Sequence, residues 1–97
     1  MEERINQGFK IIQSIMVGNS EFVLGENMKC PGKFVTWQCR DGTDYFWGHY
    51  ISGRLYAVKD LYERALLETD NLIYRMEQRE AGEQKQSDRN KKKDRER

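Results

Sequence analysis

The chain has 97 residues with 17 basic and 16 acidic side chains, a net charge of +1. That length allows one domain at most. Without an apolar run approaching the ~18–20 residues that span a bilayer, or a basic start followed by a hydrophobic segment, the sequence points to a cytoplasmic protein with no membrane association.

The charge is uneven. Residues 1–82 carry 10 basic and 12 acidic side chains, and residues 83–97 carry 7 and 4. Neither imbalance is large enough to specify a nucleic-acid partner.

In chain order, Met1–Gln7 is polar. Phe9–Val17, FKIIQSIMV, alternates and reads as a strand with Phe9, Ile11, Ile15 and Val17 on one face. Gly18-Asn19 predicts a turn and Glu21–Leu24 a second strand. Gly25–Lys33 reads as a loop around Pro31-Gly32. Lys33–Ser52, KFVTWQCRDGTDYFWGHYIS, is the richest stretch, holding both tryptophans and the only histidine. It reads as a β-hairpin around Asp41-Gly42.

Two registers compete in that hairpin. A two-residue loop places Val35, Trp37 and Cys39 with Asp44, Phe46, Gly48 and Tyr50. A three-residue loop, Arg40-Asp41-Gly42, places them with Tyr45, Trp47, His49 and Ile51. The second gathers more apolar area on one face and is preferred. A slip of one residue would exchange the faces. In this register Phe34, Phe46 and Tyr50 lie on the other face.

After Ser52 the period changes. Leu55, Val58, Tyr62, Ala65, Thr69, Leu72 and Met76 follow at intervals of three and four, one stripe of a helix. Ser52 is the expected cap, and Thr69-Asp70-Asn71 the expected soft point. The helix is predicted from about Arg54 to about Glu80. About 27 residues give ~40 Å against ~23 Å for a seven-residue strand, so its second half should overhang the sheet. After Ala81 there is no aromatic or aliphatic side chain to offset ordering entropy, so residues 81–97 are predicted to be a disordered charged tail beside a 1–80 domain.

The expected fold is α+β: a small antiparallel sheet of three to four strands, β-β-β-β-α, packed by one long C-terminal helix. Chemistry is sparse. Cys30, Cys39 and His49 are metal-ligand types, but the two cysteines are nine residues apart and a fourth strong ligand is missing. Cys39 and His49 share a face in the preferred register yet lie at opposite ends of the hairpin, too far apart for a nucleophile and its base. No glycine-rich loop opens the helix, so phosphate cradling is not indicated. Neither a cofactor nor a small-molecule ligand is expected.

Surplus apolar surface is the stronger signal, and it points to protein interaction or homodimerisation through Phe46, Tyr50, Leu72, Ile73 and Met76. The alternative is single-stranded nucleic acid, with bases stacked on the aromatic sheet and phosphates held by Lys91, Lys92, Lys93 and Arg95.

The runs Phe34-Val35-Thr36-Trp37 and Trp47-Gly48-His49-Tyr50, with Tyr45 between them and Asp60-Leu61 after, resemble small uncharacterised proteins encoded on conjugative transposons of Firmicutes. The likeness covers roughly Phe9 to Leu67. It implies an accessory, non-enzymatic domain of a mobile element and supplies no catalytic residue.

Overall fold

A computed structural model describes residues 3–84. Five antiparallel strands follow one another as neighbours, and a helix closes the chain. The strands are β1 (Ile5–Asn6), β2 (Phe9–Val17), β3 (Ser20–Asn27), β4 (Lys33–Arg40) and β5 (Asp44–Ser52), in the sheet order β1-β2-β3-β4-β5. The helix α1 spans Arg54–Gln84. The fold is α+β as expected, with five strands instead of three or four. The additional strand is the two-residue β1, too short for a period-2 pattern to be read. Glu21–Leu24 also lengthens at both ends, because Gly25–Asn27 still pair with β2.

Two bulges decide which side chains share a face. In β2, Ile11 pairs with Gly25 and Gln13 with Leu24, so Ile12 is the extra residue. The expected single face of Phe9, Ile11, Ile15 and Val17 is therefore split. Phe9 and Ile11 join one core, while Ile15 and Val17 join the other. In the β4–β5 hairpin, Gln38 pairs with Phe46 and Thr36 with His49, so Trp37 opposes both Trp47 and Gly48.

That second bulge makes each expected register half right. Near the turn Cys39 pairs with Tyr45, as the three-residue loop requires for its faces. Beyond the bulge Val35 pairs with Tyr50 and Phe34 with Ile51, which gives the faces, though not the pairs, of the two-residue loop. The loop itself is Asp41-Gly42-Thr43, one residue later than expected. Asp41 and Gly42 both have positive φ, 55° and 76°, and the Thr43 amide donates to the Arg40 carbonyl. Such turns match the twist of the flanking strands.

Both sheet faces are buried, which accounts for strands with no cleanly polar side. On one face Phe22, Leu24 and Phe34 pack against Ala57, Leu61 and Ala65 of α1. Phe34, on the face opposite Trp37 as the preferred register has it, lies under the helix and is 3% exposed. The other face has no helix. There the sheet curls upon itself around Val23, Val35, Trp37 and Cys39. The Phe9 and Tyr50 rings belong to β2 and β5, three strand spacings or ~14 Å apart in a flat sheet. Their centroids are 6.0 Å apart, and both rings pack on Trp37. Arg4 fastens this curl. Its guanidinium donates to both Glu21 carboxylate oxygens at 2.8 and 3.1 Å and to the Tyr45 hydroxyl at 3.1 Å, linking the chain start to β3 and β5.

The helix departs from expectation in three ways. Its start is set by Gly53, whose carbonyl accepts from Ala57, while the Ser52 hydroxyl accepts from Lys33 Nζ. Its buried stripe is Ala57–Leu61–Ala65, turned by ~60° from the expected stripe. Leu55 and Tyr62 are exposed in consequence. It continues unbroken through Thr69-Asp70-Asn71 to Gln84, where the Thr69 hydroxyl donates back to the Ala65 carbonyl at 2.8 Å. The expected tail thus gives Ala81–Gln84 to the helix, and its remainder, 85–97, lies outside the described residues. Among those described, no helix is long and apolar enough to cross a membrane.

Candidate interaction groove

Opposing one tryptophan with two residues forces the backbone of β5 out of line. Trp47 sits at φ 55°, a left-handed conformation that bulky side chains seldom adopt. The cause lies across the ladder. The Trp37 indole, 2% exposed, is pressed against the backbone of Gly48. With glycine at that position, Trp47 is turned outward. It is 71% exposed and touches Phe46 edge to face at a centroid distance of 4.9 Å. Bulges commonly re-aim a side chain in this way.

Between this bulge and α1 runs a groove of about 360 Å³, bounded by Phe22, Gln38, Trp47, His49, Arg64, Leu67, Glu68 and Asn71. Phe22, at 4% exposure, supplies buried apolar surface, while Trp47 and Leu67 stand out on opposite sides. A polar network closes one end. Asp60 on α1 accepts from the Thr36 hydroxyl at 2.5 Å and faces His49 Nδ1 at 2.9 Å. Arg64 donates to the Trp47 carbonyl, so the helix holds the strained residue directly.

The charges in this network support one another. Burial pushes the Asp60 carboxyl upward, but the Thr36 hydroxyl, His49 and Arg64 outweigh it and hold it below its ordinary value. Burial lowers the Arg64 guanidinium from its ordinary value, and the Asp60 charge opposes that shift. His49 Nδ1 lies beside both Asp60 and the Arg64 Nε, the latter at 3.3 Å. Thr36 is already engaged as a donor to Asp60. The arrangement binds β4, β5 and α1 together.

The other sequence-level candidates fall in separate places. Cys39 is buried in the curled core, where burial and then the Glu21 charge raise its thiol above the ordinary value. His49 pairs with Thr36 on the helix face, so the two side chains face opposite ways, contrary to the preferred register. Cys30 is exposed in the β3–β4 loop. The three do not meet, and among the described residues no group of three His, Cys, Asp or Glu side chains is placed to hold a metal.

Of the expected interaction residues, Phe46 borders the bulge, half-buried with the Arg40 guanidinium 4.9 Å above its ring. Tyr50 is 62% exposed but leans on Trp37 and Phe9. Leu72 is half-buried and packs on the β2–β3 turn, since a Cβ on Gly18 would lie 2.9 Å from Leu72 Cδ1. Ile73 and Met76 are 45% and 51% exposed. Lys91, Lys92, Lys93 and Arg95 lie outside the described residues. Sequence reasoning missed Trp47, Leu67 and Arg64 as one site. The signal was the adjacent Trp47-Gly48 opposite Trp37, a crowding that a bulge relieves.

No protein-family model, no curated protein and no solved structure matches the chain.

Proposed function

We propose that this chain is a non-enzymatic binding domain that takes an apolar anchor of a protein partner into the groove beside Trp47. One observation carries the reading. A tryptophan is held 71% exposed on a left-handed backbone, facing an exposed leucine across buried apolar surface. Strain and exposed aromatic area both count against the isolated domain, and both suit an occupied site. The resemblance of the Phe34–Tyr50 run would set the partner among the proteins of a mobile element.

The reading is tested by selecting peptides from a random library on the full chain, with Trp47→Ser as counter-selection. Enriched peptides should share an aromatic or aliphatic anchor and shift the fluorescence of Trp47. Enrichment that is equal on Trp47→Ser counts against the groove. A second reading, base stacking on Trp47, rests on the same exposed indole. It requires single-stranded DNA to quench that fluorescence, with an effect that weakens as salt rises. Trp37 offers no such platform, since Phe9, Tyr45 and Tyr50 enclose it.

A further inference from the structure

The outward side of α1 carries two apolar stripes separated by a charged ridge of Lys59, Glu63, Asp70 and Glu77. The β5-side stripe includes Leu67 at the groove. The other includes Tyr62, whose hydroxyl accepts from Gln13 Nε2 of β2. Its members are Leu55, Tyr62, Leu66 and Ile73, exposed by 80%, 52%, 60% and 45%. They share one side of the helix because seven and eleven residues are close to two and three turns.

The intervals are seven, four and seven. This order reads the same from either end. In a two-fold pair, contact of residue i with j implies contact of j with i. Antiparallel helices that cross at the level of Arg64 therefore place Leu55 against Ile73 of the second copy, and Tyr62 against Leu66. Lys59 then falls at the level of Thr69-Asp70 of the second copy. Lys59 and Asp70 flank the stripe on the same side, and like flanks meet only in an antiparallel pair. Each dimer thus gains two opposite-charge contacts beside four apolar ones.

We propose that the chain self-associates as an antiparallel homodimer through the Leu55–Ile73 stripe of α1. The stripe is ~27 Å long. An interface of that size is small, and the dimer should dissociate in the range of ~10 µM. The surface is distinct from the Trp47 groove, so the dimer would offer two grooves to a bivalent partner.

Sedimentation equilibrium of the full chain from about 1 to about 300 µM tests this. A reversible monomer–dimer equilibrium is expected. Leu66→Glu should weaken it by about 100-fold, because each copy would bury a charge against tyrosine. Lys59→Asp and Asp70→Lys should each weaken it by about tenfold at low salt, and the double variant should return to within about threefold of the parent. Circular dichroism of each variant should show an intact fold, since all three positions are exposed. A parent that stays monomeric throughout overturns the proposal. So does a dimer indifferent to Leu66→Glu, or a double variant no better than the singles. Peptide selection on Trp47 is read separately, so a monomer that still selects anchors loses the dimer and keeps the groove.

Discussion

Gly48→Ala adds one methyl group at the point where β5 crosses the Trp37 indole. The new Cβ would lie 2.8 Å from Trp37 Nε1, 3.1 Å from its Cδ1 and 3.4 Å from Tyr50 Cε2. Ordinary contact needs at least about 3.5 Å, so the indole must move by more than half an ångström. It has little room, because Phe9, Tyr45 and Tyr50 pack around it at centroid distances of 5.8, 5.4 and 6.5 Å. The φ of Gly48 is not in the left-handed region, so the cost is steric and not conformational. Overpacking of this kind costs ~1–3 kcal/mol. Urea unfolding followed by circular dichroism should show that loss as a lower midpoint with an unchanged slope. Trp37→Leu removes Nε1, the nearer of the two clashing atoms, so Gly48→Ala in that background should cost at least ~1 kcal/mol less. Strictly additive losses would refute the account of the bulge, and so would a neutral Gly48→Ala.

Trp37→Ala should cost ~3–5 kcal/mol, most of what a domain of this size possesses, measured by the same unfolding curves with Trp47 as the remaining fluorophore. Acid should destabilise the fold through Glu21 and Asp60. The Arg4 hydrogen bonds hold Glu21 below its ordinary value, as the Asp60 partners do Asp60. A depressed folded-state pKa contributes stability fully present above the unfolded-state value of about 4 and lost as pH falls through the folded one. Thermal melts should therefore weaken below about pH 4, and Glu21→Gln with Asp60→Asn should flatten that slope. Alkylation of the native protein at pH 8 should modify Cys30 and spare Cys39, which is buried with its thiol raised by burial; mass spectrometry reads the site, and equal labelling would mean that the curled core opens.

Four of the five strands, the helix and their order were legible in the residues themselves. Alternation over Phe9–Val17, Asp41-Gly42 between two aromatic runs, and the change to a three-and-four period after Ser52 each express a local preference. Such preferences hold wherever the chain lies in space. The faces were not legible, because one extra residue at Ile12 or at Trp47-Gly48 reverses every side chain beyond it. Whether a bulge forms depends on what the neighbouring strand presents, and here that is the Trp37 indole against the Gly48 backbone. The helix stripe had a similar fate. Periodicity narrows the apolar side of a helix to an arc. The half-buried contacts of Leu72 at Gly18 and Asp60 at Thr36 decide where on that arc the sheet sits. Trp47, Leu67 and Arg64 are as much as seventeen or twenty positions apart in the chain. Only the packing of α1 across β4 and β5 makes them neighbours, since short-range propensity carries no information about which distant side chain will arrive.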